Sequence, residues 1–297
     1  MQLTPGARAT SGTVLRPEGL REDLHGNGCV VMGILNVTPD SFSDGGLHEG
    51  TERAVAHGFT LAAQGADIVD VGGESTRPGA VPVPEEEELS RVLPVVRELS
   101  AGSVRVSIDT MHADVARAAL RAGACMVNDV SGGLADSQMA RVVAESGAPF
   151  VVMHWRAPSR SMHRHAGYGD VVAEVRDELC RRLDELSAQG VAREQLVLDP
   201  GLGFAKRPEH DWALLSHLDV FTGLGLPVLV GASRKSFLAT VCATPHGGVP
   251  AGRDAATTAV SALAASAGAW GIRVHDVPAN RDAVRVARAW HSPARRG

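Results

Sequence analysis

The chain has 297 residues, 44% hydrophobic and 21% charged, which suits one large globular domain or two small ones and excludes disordered and fibrous architectures. Its 29 Lys and Arg against 34 Asp and Glu leave a formal charge of −5, so there is no global attraction for nucleic acid or an anionic membrane, and a small-molecule partner is expected. The opening MQLTPGARATSGTVL lacks the apolar core of a secretory signal, and the longest uncharged stretch, between Asp254 and Arg273, is too rich in Ala, Ser, Thr and Gly to span a bilayer. A cytoplasmic protein is expected, with Cys29, Cys125, Cys180 and Cys242 as free thiols, because they are dispersed and form no CxxC.

Residues 1–28, rich in Gly, Arg and Pro, read as an N-terminal extension to which no chemistry is assigned, and residues 29–297 as a single catalytic domain. Short apolar, β-branched runs follow: CVVMGIL at 29–35, ADIVDVG at 66–72, VRVSI at 104–108 and ACMVN at 124–128. PFVVM at 149–153, QLVLD at 195–199, PVLVG at 227–231 and GIRVH at 271–275 complete eight. Between them lie helical stripes such as Leu89, Val92, Leu93, Val96 and Leu99, or Val171, Val172, Val175, Leu179, Leu183 and Leu186. Runs apolar throughout predict strands buried on both faces, and their alternation with helices predicts parallel pairing. The fold class is therefore α/β, a (β/α)8 TIM barrel, for which about 250 residues is typical; a doubly wound open sheet is the competing architecture. Polar residues at nearly every strand's carboxyl end favour the barrel, where such ends converge on one mouth.

After the first run, Asn36 opens a stretch of turn formers around Phe42 and Asp44. Its side chain reads either as a cap or as a neutral oxygen donor suited to Mg²⁺. After the second run, Ser75, Thr76, Arg77 and Pro78 combine hydroxyls, a guanidinium and flanking glycines, a composition for anion recognition. The bland alternative pairs Arg77 with the four glutamates at 85–88. Asp109, Asn128 and Asp199 end three further runs, as helix caps or as acceptors for a heterocycle edge carrying N–H and amino groups. Ser233, Arg234, Lys235 and Ser236 follow the seventh run and open an expected helix, whose N-terminus suits an anion; a Schiff-base lysine is the other reading. Arg273 and His275 alternate on the last run and so share a face. His163 and His165 have no matching Cys or carboxylate and are left as a solvated loop.

Longer motifs then carry a resemblance. MGILNVTPDSFSDGG at 32–46 and GADIVDVGGESTRPGA at 65–80, followed in order by VSIDT, VNDVSGG, LDPGLGFAK, LVGASRKSF and RVHDV, resemble the dihydropteroate synthase family of high-GC bacteria over about residues 29–290. The resemblance implies condensation of 7,8-dihydropterin-6-ylmethyl diphosphate with 4-aminobenzoate to 7,8-dihydropteroate and diphosphate, a step of folate biosynthesis. It implies that Asp109, Asn128, Asp199 and Lys235 hold the pterin, while Asn36 through Mg²⁺, with Thr76, Arg77, Arg273 and His275, takes the diphosphate. By the same resemblance Phe42, Pro78, Phe204, Lys235 and Ser236 form the aminobenzoate pocket, the site at which sulfonamides would compete, and Asp44 orders the first loop. It further implies a homodimer through outer helices, the Ala-rich segment 255–268 among them. The stretch MHWRAPSRSMHRH after the fifth run departs from the family's pattern, which leaves its ligand contacts open. A pterin-dependent methyltransferase shares the pterin-binding acids but has no use for the 75–78 and 233–235 constellations. A non-catalytic pterin-binding paralogue would lose its leaving-group residues first, and here they are intact.

Overall fold

The computed structural model describes residues 28–38, 46–74, 83–242 and 250–291. Phe42, Asp44, Thr76, Arg77 and Pro78, and the extension at 1–27, lie outside the described residues.

Each apolar run overlaps a strand, which begins one or two residues into the first seven runs and at the first residue of the eighth: β1 (Val30–Asn36), β2 (Ile68–Gly72), β3 (Val106–Asp109), β4 (Met126–Asp129), β5 (Phe150–Met153), β6 (Leu196–Asp199), β7 (Leu229–Val230) and β8 (Gly271–Val274). They pair in one sheet ordered β6-β5-β4-β3-β2-β1-β8-β7, with parallel register throughout. A bridge between Leu198 and Val228 joins the two ends, supported by the Leu198 N–H donating to the Pro227 carbonyl at 2.8 Å. That contact makes the sheet a barrel and rules out the open alternative.

The outer layer comprises α1 (Gly46–Ala63), α2 (Glu85–Ala101), α3 (Ala113–Arg121), α4 (Met139–Ser146), α5 (Val171–Ala188), α6 (Pro208–Ser216), α7 (Leu218–Thr222), α8 (Asp254–Ser266) and α9 (Val277–His291). Four glutamates occupy the first turn of α2, where the helix dipole favours them, and Val92, Val95, Val96 and Leu99 form its buried stripe. Helix α5 is capped by Asp170, whose carboxylate accepts from the Val172 and Ala173 N–H groups at 3.1 Å, and of its expected stripe it buries Val171, Val175, Leu179, Leu183 and Leu186, with Val172 only partly covered.

One local expectation is corrected. The segment after β7 forms only a 3₁₀ turn, Ser236–Thr240, and α8 starts at Asp254. Arg234 takes a left-handed φ of 58°, which no helix propagates, and its guanidinium turns away to Asp254 at 2.7 and 2.9 Å.

Inside the barrel, Val30, Met32, Ile68, Met126, Val151, Val197, Leu229 and Trp270 form their own apolar cluster, separate from the larger core between strands and helices. Successive strand side chains alternate between faces, so the inward phase of β2, β4 and β6 runs from Ile68, Met126 and Val197 to Asp70, Asn128 and Asp199 two residues later. The barrel thus has an apolar floor and a polar mouth at the strands' carboxyl ends, where enzymes of this architecture place their sites.

Candidate active site

At the mouth, Arg273 is the hub. Its Nε donates to Asp70 Oδ2 and its Nη2 to Asp109 Oδ2, both at 2.6 Å. The Asn128 amide donates to the same Asp70 oxygen at 3.0 Å, so β2, β3, β4 and β8 are tied into one network. Asp109 is therefore not a carboxylate without a cation, as its sequence context suggested; burial nonetheless pushes its pKa up by desolvation, Arg273 opposes the rise, and Asp70, Glu88 and Asp129 add to it with negative charge nearby. Asp70 is fully buried, and its Oδ1 has no hydrogen-bond partner among the described residues. A ligand edge bearing N–H donors suits such a surface, since an unpaired buried acceptor is costly.

Asp199 lies on the opposite side of the mouth, its Oδ1 accepting from the Gly201 N–H at 2.7 Å. A Cβ built on Gly231 would stand 3.6 Å from Asp199 Oδ2 and 3.8 Å from Lys235 Nζ, so the missing side chain keeps open the space that these two groups flank. The Lys235 ammonium donates to the Leu202 carbonyl and lies 4.8 Å from the centre of the Phe204 ring. Burial lowers its pKa to about 8, opposed by Asp199 and Asp211. Ser236 is exposed beside it. Arg234, bound to Asp254, does not join Lys235 as a second cation in the site.

Arg273 and His275 part company despite their shared phase. Ser233 Oγ lies 2.9 Å from His275 Nδ1 and accepts from the His275 N–H at 3.1 Å, which draws this histidine toward the segment after β7. Asn36 ends β1 half-buried, in register with Gly72 at the end of β2. Its neutral carbonyl at the mouth has the donor chemistry Mg²⁺ accepts, a single protein oxygen with the remaining positions left to waters and phosphate oxygens.

Asp129, adjacent to Asn128, is structural. Its oxygens accept from the Ser131 N–H and hydroxyl at 2.7 Å and from the Gly133 N–H at 2.9 Å, fixing the β4 loop. Glu74, Glu88 and His112 gather beyond the end of β2, with His112 Nδ1 2.6 Å from Glu88 Oε2. His163 and His165 are exposed, as a solvated loop requires.

Sequence reasoning missed Asp70, hidden within an apolar run. The signal was present: a carboxylate two residues beyond Ile68 is in the inward phase of a strand with no other polar residue there. It also missed Lys206, a buried lysine whose Nζ lies 3.0 Å from both His154 Nδ1 and the Phe204 carbonyl.

Comparison with known proteins agrees with this geometry. The family model described as "Pterin binding enzyme" matches residues 32–275. The dihydropteroate synthase of Mycobacterium leprae is 56% identical over 88% of this chain and 93% of its own. A structure of the Xanthomonas albilineans dihydropteroate synthase with 4-aminobenzoic acid superposes with a TM-score of 0.83 at 44% identity, covering 90% of this chain and 95% of that one. A second structure of the X. albilineans enzyme, in complex with 7,8-dihydropteroate, gives 0.80 at 42% identity over 91% and 99%.

Proposed function

This chain belongs to the dihydropteroate synthase family of pterin-binding enzymes, and from that premise we propose that it condenses 7,8-dihydropterin-6-ylmethyl diphosphate with 4-aminobenzoate, releasing diphosphate. The observation that carries the reading is the convergence of Asp70 and Asp109 on Arg273, with Asn128 bound to Asp70, across the mouth from Asp199 and Lys235. Acceptors and mixed donor-acceptors of this kind suit the amino and N–H edge of a pterin.

The chemistry is a dissociative substitution. The C–O bond to diphosphate breaks first, the cation delocalises into the dihydropterin, and the arylamine nitrogen attacks the exocyclic carbon and then loses its proton. Asp70, Asp109 and Asp199 surround the ring with negative potential, and neutral Asn128 fixes its orientation, so the cation forms in a preorganised field. Arg273, released in part from its carboxylates when the pterin occupies them, and His275, aimed by Ser233, face the departing diphosphate with Thr76 and Arg77. Asn36 would hold Mg²⁺, which supplies charge neutralisation for the leaving diphosphate when bound. Phe42, Pro78, Phe204, Lys235 and Ser236 enclose the arylamine, and Asp44 orders the first loop. No strong general base is required, because positioning and electrostatics carry the reaction.

Residues 29–297 act as one catalytic domain in this reading. The four cysteines are all free, which supports a reducing, cytoplasmic setting, and among the described residues no helix is long and apolar enough to cross a membrane. The functional unit is a homodimer: Leu263 on α8 is 70% exposed beside an apolar groove formed with Trp212, Leu215 and Leu218, the kind of surface a second copy covers.

The test follows diphosphate and pteroate in parallel, from the pterin diphosphate with Mg²⁺, with and without 4-aminobenzoate. Equimolar, aminobenzoate-dependent products are expected; saturable pterin binding with neither product would indicate a non-catalytic pterin binder.

A further inference from the structure

The loop after β5 is where the sequence departs from the family's pattern, and in the fold it is neither loose nor remote. Arg156 clamps it. Its Nε donates to Glu178 at 3.0 Å, its Nη2 to Glu174 at 2.9 Å and its Nη1 to the Gly167 carbonyl at 2.8 Å. The guanidinium lies 3.8 Å from the centre of the Tyr168 ring, which in turn meets His210 of α6 edge-on at 5.0 Å. A planar fork that satisfies two carboxylates, a carbonyl and an aromatic face is well organised for holding a loop in one conformation.

The clamped loop presses on the segment after β6. Ala157 and Met162, 6% and 1% exposed, pack with Ala205, and Phe204 joins the same cluster. Lys206 ties that segment to the β5 loop a second time. Its Nζ donates to the Phe204 carbonyl and reaches His154 Nδ1, each at 3.0 Å, while His154 Nε2 lies 2.8 Å from Glu178. Both ties therefore return to Glu178, the carboxylate that Arg156 grips. The backbone leaves little room for alternatives: Gly201 has a φ of 70°, and a Cβ there would stand 2.4 Å from the His154 carbonyl oxygen. The Gly203 N–H is pinned by Asp211 at 2.7 Å.

We propose that Met162 and Lys206 are positioning residues that fix the Phe204 wall of the arylamine pocket, making the β5 loop a specificity element for the second substrate. This rests on the reading of Phe204 as part of the aminobenzoate pocket. Neither residue belongs to the pterin-binding network of Arg273, and the hydrogen bond from Lys235 to Leu202 does not run through Met162. Truncating Met162 leaves a void behind the ring without removing a polar contact to the pterin.

The experiment measures the two KM values separately for Met162→Ala, Met162→Leu and Phe204→Ala, with thermal unfolding of each. Met162→Ala is expected to raise KM for 4-aminobenzoate roughly tenfold, the scale of a poorly filled apolar pocket, with KM for the pterin diphosphate unchanged. Met162→Leu, which restores volume, is expected to return KM toward the parent value. If Phe204→Ala leaves the aminobenzoate KM unchanged, the pocket reading itself fails. If Phe204→Ala raises it and Met162→Ala does not, or if Met162→Ala raises both KM values alike, the positioning role is overturned. Should Met162→Ala not fold, Met162→Val carries the same split, and an unchanged ratio of the two KM values there overturns the proposal equally.

Discussion

Arg273 and Asp70, 203 residues apart in sequence, meet at 2.6 Å across the mouth of the barrel. β1 lies between their strands, with Met32 in register with both Ile68 and Arg273, so the guanidinium reaches past one strand to a carboxylate on the next. Asp70 also orients the Asn128 amide, which gives a residue with no expected role the task of aligning two expected ones. Asp70→Ala removes one of the two carboxylates that pair Arg273 and leaves the Asn128 amide without its acceptor, a change that costs about 1–3 kcal/mol. A Tm fall of several degrees together with weakened pterin binding is expected in calorimetry and titration; unaltered pterin affinity would separate Asp70 from the site.

Asn36 should behave in the opposite way. It is half-buried at the strand end, outside the buried core, and its removal should change stability by no more than about 0.5 kcal/mol. Asn36→Ala is expected to lower kcat by roughly a hundredfold, the scale of losing one leaving-group interaction, and to raise the Mg²⁺ concentration needed for half-maximal rate. An unchanged Mg²⁺ dependence would remove Asn36 from the metal.

Lys235 makes the pH dependence distinctive. Burial sets its pKa at about 8 in the fold, against an ordinary 10.5. The ammonium that contacts substrate is present below about 8 and is lost above it, so kcat/KM is expected to fall as pH rises through that value. Stability moves the other way: from about 8 to 10.5 the unfolded chain holds the proton that the folded one has released, so this lysine's contribution grows with pH across that window. Lys235→Arg keeps its charge and should lose the alkaline limb in a rate profile; a limb that persists belongs to another group.

Ser233 is a smaller lever. It is buried and both accepts from the His275 backbone and contacts the ring. Ser233→Ala should cost about 1 kcal/mol and lower Tm by roughly 2–4 °C. Because the imidazole loses its orientation, kcat should fall several-fold with the aminobenzoate KM unaffected, and Ser233→Thr should recover part of it. Equal kcat in Ser233→Ala and the parent would show that His275 holds its place without this hydroxyl.

The strand-end residues were legible because a barrel makes polarity at a strand's carboxyl end costly unless used. Asp109, Asn128 and Asp199 each close an apolar run, Arg273 sits one residue before the end of β8, and the structure brings Asp109 and Arg273 together at the mouth. Lys206 and Met162 were not legible, since a lysine in a glycine-rich loop and a methionine in a polar one have ordinary solvent-facing explanations. Both are buried only because two loops from adjacent strands lean on each other. The helix expected at Ser236 is instead a short 3₁₀ turn, set off from β7 by the left-handed Arg234, whose side chain pairs with Asp254.

The sequence by itself determined the alternation of eight strands with helices, the apolar stripes and the inventory of polar strand ends, because two- and 3.6-residue periods are local properties of the chain. It also determined the family, through motifs long enough to be specific. Only the tertiary structure decided which polar groups pair with one another. Pairing of Arg273 with Asp70 and Asp109, of His275 with Ser233, and of Lys206 with His154 depends on barrel closure and strand register, and those are set by contacts between residues far apart along the chain.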